Sequence, residues 1–231
     1  RAEACLMQIE KLLTLGASPR GPDIERILGG GSGSTVPGSQ KIGWEDVRMA
    51  IGMIQPANVN GRIASGDALR AALQLKAIPS QVSGMELSEL VYALSVALID
   101  QERRLLPAIH AKVDDKAYAS LRRSIDKRRA AIIRIALAEY QQPNVCRHCH
   151  GGGQTLAPRK RPDGTEPVLW GRCDNCAGLG HVRWSQNTRA SSIGGDRNAY
   201  AHIEPLYEHV LRCCRDLYLE AAVQFKRYLL G

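Results

Sequence analysis

Apolar residues recur at helical spacing over most of this chain, and the places where the pattern stops divide it into segments. Leu6, Ile9, Leu12 and Leu13 line one side of a short predicted helix over Ala2–Leu15 that ends at Gly16. From Ala17 to Gln40 glycine, proline and serine dominate, and Gly29 to Ser34 holds only glycine and serine, which predicts a flexible segment. Helical patterns resume from Trp44 to Gln55, stopped by Pro56, and from Asp67 to Ala77, stopped by Pro79. Ser83 and Glu86 form an S-x-x-E capping box, and Leu87, Leu90, Val91, Leu94 and Leu98 then mark one face of a helix reaching Leu106, where Pro107 breaks or restarts it. Asp114 or Asp115 caps the next helix, whose apolar face is Tyr118, Leu121, Ile125, Ile132, Ala136 and Tyr140.

Beyond Tyr140 the rhythm changes. Residues 150–172 read as two short strands joined by a turn at Pro162-Asp163-Gly164. Ser185 to Ser192 suits a short helix, Gly194 and Gly195 make a turn with Asp196 as a cap, and Arg197 to Glu204 begins a second helix. Pro205 is expected to interrupt it, and Leu206, Val210, Leu211, Leu217, Leu219, Ala222 and Leu229 outline a long closing helix.

Two stretches within the non-helical segment repeat each other. Cys146, Cys149, Gly151 and Gly153 match Cys173, Cys176, Gly178 and Gly180 as two copies of C-x-x-C-x-G-x-G. Two residues between cysteines let one tight turn aim both sulfurs at a single ion, and four thiolates make a closed tetrahedral zinc site. The glycines suit the sharp turn after each second cysteine, where positive φ is needed. Disulfides or ordinary core cysteines explain the echo less well, because a C-x-x-C disulfide closes a small strained ring. His148 and His150 are substitute ligands, although four sulfurs already complete a structural site. Cys213 and Cys214 read as core residues, and the unpaired Cys5 points to a reducing compartment.

The expected fold is therefore mainly α: a helical domain with an inserted four-cysteine zinc-binding β-hairpin module and a helix-turn-helix-like element for DNA. The expected segments are 1–42, an N-terminal helix and flexible stretch; 43–145, helical; 146–182, the module holding one structural zinc; and 183–231, the helix pair and closing helix. The 231 residues carry 31 lysines and arginines against 23 acids, a net charge of +8, which favours a polyanionic partner over an acidic small substrate. No apolar run is long enough to span a membrane and no signal-like segment opens the chain, so the expected location is cytoplasmic.

Basic residues concentrate at three places. Arg122, Arg123, Lys127, Arg128, Arg129 and Arg134, against the single Asp126, form a positive face on one helix, with Arg122, Arg123 and Lys127 as candidate phosphate contacts. Arg159, Lys160 and Arg161 sit at the tip of the predicted hairpin. In a helix-turn-helix the start of the second helix meets base edges, here Arg197, Asn198, Tyr200 and Ala201, with Arg183 and Arg189 on flanking phosphates. Arginine can read guanine and asparagine adenine in the major groove.

Taken together these residues resemble the lambdoid phage Q proteins, late-gene transcription antitermination factors. The resemblance is carried by Trp44 to Gln55 (WEDVRMAIGMIQ), Ala138-Glu139-Tyr140, Cys146 to Gly153, Leu169-Trp170-Gly171-Arg172, Cys173 to Gly180, and Pro205-Leu206-Tyr207 before a cysteine-bearing helix. It implies binding to a site in double-stranded DNA near a late promoter in the host cytoplasm, at the nucleoid. It also implies engagement of host RNA polymerase through its β flap and sigma region 4, and suppression of pausing and termination. Residues 1–42 and Trp184–Ala201 match that pattern poorly, and Glu204 stands where the pattern has a basic residue, so a different recognised DNA sequence is expected. Three other readings compete. An Hsp40-like zinc module uses four such repeats for two ions and comes with a His-Pro-Asp signature that this chain lacks. A catalytic zinc needs an open position that four sulfurs close, so no enzyme and no small-molecule substrate is expected. A DNA-binding regulator without polymerase contact shares every other feature.

Overall fold

Val47, Ala50 and Ile51 fall on one side of the first helix among the described residues and are buried there, as their spacing requires, and Ile54, just past its end, is buried with them. The computed structural model describes residues 44–158, 168–178, 180–195 and 197–230. The segment 1–42 and the Pro162-Asp163-Gly164 turn with Arg159, Lys160 and Arg161 lie outside the described residues.

Helix α1 (Trp44–Gly52) leads into a small hairpin, β1 (Ala57–Val59) and β2 (Arg62–Ala64), turned by Asn60 and Gly61 at φ 53° and 82°. Both φ values are positive, as the tightest hairpin turn demands, and Asn-Gly is the pair that tolerates them. Asn60-Gly61 is the local sequence signal for this hairpin.

Helix α2 (Gly66–Ala77) starts where the Ser65 hydroxyl accepts a hydrogen bond from the Ala68 N–H. Ala68, Leu69, Ala71, Ala72, Leu73 and Leu75 are all buried, so α2 lies in the middle of the core. A one-turn 3-10 segment at Pro79–Gln81 precedes α3 (Gly84–His110). The predicted capping box is present, with the Glu86 N–H donating to Ser83 Oγ at 3.2 Å and the Ser83 N–H to Glu86 Oε2 at 3.0 Å. Contrary to expectation, Pro107 does not break this helix. It sits in an exposed final turn where one missing N–H costs little, and its carbonyl still accepts from the Ala111 N–H at 3.1 Å. Helix α4 (Asp115–Gln141) is capped by Asp114, whose carboxylate accepts from the Ala117 N–H.

Four short strands follow. β3 (Asn144–Val145) pairs antiparallel with β6 (His181–Val182), closing the base of the module, and β4 (Gln154–Pro158) pairs antiparallel with β5 (Val168–Arg172). Helix α5 (Gln186–Ile193) is capped by Ser185 and ends at Gly194 in the left-handed conformation. Helix α6 (Arg197–Leu230) then runs 34 residues, about 50 Å at 1.5 Å per residue. Pro205 does not interrupt it, a second departure from expectation. The proline is exposed while Ile203, Leu206, Tyr207 and Val210 around it are buried, and their packing outweighs one lost backbone bond.

Helix α6 packs against α1, α2, α3, α4 and α5. Segments 43–145 and 183–231 thus share one core, in which Val47, Leu73, Leu94, Ile132, Tyr207 and Phe225 belong to a single buried cluster. The side chain of Gln224 ties the two ends together: its Oε1 accepts from the Gln55 N–H at 2.9 Å and its Nε2 donates to the Gln55 carbonyl at 3.2 Å.

Ile132→Ala, at a position with no exposure, should lower unfolding free energy by about 2–5 kcal/mol, read by chemical denaturation. A loss below ~1 kcal/mol would mean that α4 is not held in this core.

Candidate metal centre

The four cysteines of the repeat are buried, and their Sγ atoms all lie within 4.8 Å of one another. Cys146 and Cys173 are 3.9 Å apart, and Cys149 and Cys176 3.6 Å. A regular tetrahedron with metal–sulfur bonds of about 2.3 Å has edges of about 3.8 Å, so the donor set has the spacing of a four-thiolate metal site. The exposed His150 stands outside this set, and the sulfurs close the cluster without it.

Local backbone geometry accounts for the motif residue by residue. The Gly153 N–H donates to Cys149 Sγ at 3.3 Å, and its counterpart Gly180 donates to Cys176 Sγ at 3.2 Å. The two knuckles also brace each other: the Cys146 N–H donates to the Gly180 carbonyl and the Cys173 N–H to the Gly153 carbonyl, both at 2.9 Å. Gly153 and Gly180 have φ of 70° and 76°, and a Cβ on either would stand 2.3 Å from a carbonyl oxygen of the opposite knuckle, that of Gly178 or Gly151. The last glycine of each repeat is therefore required twice, by conformation and by cross-knuckle contact. Burial pushes the Cys173 thiol up to about 11, whereas the Asn175 amide, donating to Cys146 Sγ at 3.2 Å, is the main reason that Cys146 falls to about 6. A divalent cation bound among these sulfurs would displace the proton that the Cys173 thiol otherwise keeps.

The module is fastened to the helices by a buried charge network. Glu139 of α4 and Arg189 of α5 have side chains only 3 % and 4 % exposed and form a forked pair, with Arg189 Nε on Glu139 Oε2 at 2.8 Å and Nη2 on Oε1 at 2.7 Å. The Trp184 N–H, just past β6, donates to Glu139 Oε1 at 3.0 Å, and the Tyr207 hydroxyl of α6 donates to Oε2 at 2.7 Å. Arg189 Nη1 reaches Glu208 at 2.8 Å, and Arg183 Nη1 meets the other oxygen of that carboxylate at 2.5 Å. Burial alone would lower the Arg189 pKa, but the Glu139 carboxylate outweighs it and holds the guanidinium above the ordinary arginine range. Burial first, and the bond to Glu139 second, push the Tyr207 hydroxyl above its ordinary range.

These contacts correct several expectations. Arg189, read as a phosphate contact, is a buried ion-pair partner that no phosphate can reach without unfolding the network. Tyr200, read as a base reader, is 2 % exposed and faces the core, with its ring edge-on to Tyr207 and its hydroxyl pushed up to about 12 by burial. Arg183 remains 62 % exposed on the side chain while bonded to Glu208. Arg197 and Asn198 stand in the first turn of α6, and their side chains lie outside the described residues. On α4, Arg129 forks onto the buried Glu102 at 2.8 and 2.6 Å, and Arg128 donates to the Gly194 carbonyl at the end of α5. Arg122, Arg123 and Lys127 are exposed. The residues that the site reading missed are Glu139 and Glu208; a lone acid on the apolar side of a helix, between Ala136 and Tyr140, was the available signal for the first.

No protein-family model matches this sequence, and no curated protein matches it either. What the geometry defines is a mainly helical protein with four clustered, buried cysteines at the spacing of a metal site, anchored to its core. No helix among the described residues is long and apolar enough to cross a membrane.

Elemental analysis of the purified chain should find one divalent metal ion per molecule, with Gly153→Ala losing it and Gly152→Ala, whose added Cβ meets nothing closer than 3.3 Å, retaining it. Equal retention by both would show that the cross-knuckle contact is dispensable. Arg189→Ala should destabilise the fold by about 3–5 kcal/mol in denaturant titrations, since it leaves Glu139 buried without its cation. A loss under ~1 kcal/mol would mean that water reaches Glu139 freely.

Proposed function

We propose that this chain is a zinc-containing, double-stranded-DNA-binding transcription antitermination factor of the lambdoid phage Q type, acting on host RNA polymerase in the cytoplasm at the nucleoid. The observation that carries the reading is the attachment of the cysteine module to the α5–Gly194–α6 helix pair through Trp184, Glu139 and Arg189, and on to Tyr207 and Glu208 of α6. Such a brace holds the start of a second helix in one orientation, as a major-groove reader needs. Four buried sulfurs at tetrahedral spacing favour zinc, which prefers that donor set and brings no redox chemistry. When bound, the ion cross-links two knuckles that have little apolar core of their own.

In this reading Arg197 and Asn198, in the first turn of α6, face base edges, while Tyr200 supports the helix from inside. Arg183 holds a flanking phosphate, exchanging Glu208 for it, and Arg159, Lys160 and Arg161 supply further phosphate contacts. The net charge of +8 supports a polyanionic partner. Engagement of the polymerase β flap and sigma region 4 rests on the resemblance in Trp44–Gln55, Ala138–Tyr140 and the paired knuckles.

Run-off transcription on a template carrying a late promoter, its adjoining recognition site and a downstream terminator should give more readthrough with the protein than without it. Specific DNA binding without added readthrough would make the chain a promoter regulator instead, and binding of neither DNA nor polymerase would remove the reading altogether.

A further inference from the structure

We propose that the outer face of α4 is a second contact surface for the backbone of double-stranded DNA, extending the duplex past the α5–α6 element. This inference rests on the DNA-binding reading above. Lys116, Arg123, Lys127 and Arg134 are all exposed, and at 100° per residue they fall within about 40° of one another, opposite the buried Ile125 and Ile132. The line they form spans about 27 Å of helix at 1.5 Å per residue. By sequence alone Arg122, Arg123, Lys127, Arg128, Arg129 and Arg134 form one basic group on this helix. The structure separates them, taking Arg128 and Arg129 into internal contacts and turning Arg122 away from the line.

An ordinary solvated helix face intersperses acids with its bases, but every acid of α4 is engaged elsewhere. Asp115 bonds His110, Asp126 bonds Arg129, and Glu139 bonds Arg189. None of the four cations on the line has an ion-pair partner among the described residues, and the same face carries Ser120 and Ala130 between them and Ala138 one turn beyond Arg134. The row is thus uncompensated positive charge on a straight scaffold with short neighbours, the form that meets a phosphate backbone. Aromatic rings are missing from it: Tyr118, the ring nearest the row's start, is half-buried and stacked on His110 at 4.1 Å. Single-stranded nucleic acid is usually gripped by stacking on such rings, so the face favours a duplex. Helix α4 is also tied to the proposed DNA element directly, because Arg128 holds the Gly194 carbonyl at the turn between α5 and α6.

The test uses the full metal-loaded chain and random-sequence duplex DNA, with affinity measured over a range of salt concentrations. Replacing Lys116, Arg123, Lys127 and Arg134 together by alanine should lower the log–log salt slope by about 3.6, at ~0.9 per phosphate contact. The circular dichroism and melting curve should stay unchanged, because all four side chains are exposed. A control removing the same charge from the far part of α6, at Arg212, Arg215, Lys226 and Arg227, should leave the slope unchanged, and Lys116→Arg with Lys127→Arg should retain the full slope. An unchanged slope in the α4 variant, or an equal fall in the control, would overturn the proposal while leaving the DNA-binding reading intact. Loss of binding to single-stranded RNA with duplex binding preserved would overturn it too. Failure of the unmodified chain to bind any duplex would instead sink the reading on which the proposal rests.

Discussion

The Arg189–Glu139 pair is the contact on which the arrangement of the metal module depends. A carboxylate and a guanidinium out of reach of water are tolerated only when each finds enough partners, and here the partners come from every neighbouring element. Glu139 belongs to α4, Arg189 to α5, Tyr207 and Glu208 to α6, and Trp184 to the strand exit of the module. Moving any one of these elements strands a buried charge. The network thereby converts the energetic cost of burying ions into a requirement for one geometry, a use that an apolar contact of similar size does not serve as well.

The module beyond that anchor has a different physics. Its buried cluster consists of the four cysteines, with Val182 packed at its edge, so little apolar area holds it together. A small element of this kind relies on a cross-link in place of a core. The four sulfurs are placed for such a cross-link through one ion, the β3–β6 pair closes the base, and the reciprocal carbonyl contacts of Gly153 and Gly180 set the distance between knuckles. The helical body needs no such help, since α6 runs along five other helices and buries Tyr207, Val210, Cys214 and Phe225 with no exposure.

Much of this was legible along the chain because the signals were local. The capping box at Ser83, the Asp114 cap, the apolar stripes of α3 and α4 and the four sulfurs each depend on residues within a few turns of one another. The errors have physical causes too. Pro107 and Pro205 are strong local breakers, yet one sits in an exposed last turn and the other on the solvent side of a helix pinned by its neighbours. The basic residues were the least legible group, since arginine reads alike in sequence whether it faces solvent or a buried carboxylate 50 positions away.

The sequence by itself determined the mainly helical character, the cysteine ligand set and the glycine positions, because periodicity, C-x-x-C spacing and positive φ are properties of short stretches of chain. Only the tertiary structure decided which cations are free. It sent Arg189 to Glu139 and Arg129 to Glu102, buried Tyr200, and left Lys116, Arg123, Lys127 and Arg134 in a row on the surface. The reason is that a charge is paired by whatever the fold brings within about 3 Å, and partners 27 to 50 residues apart meet only when helices pack.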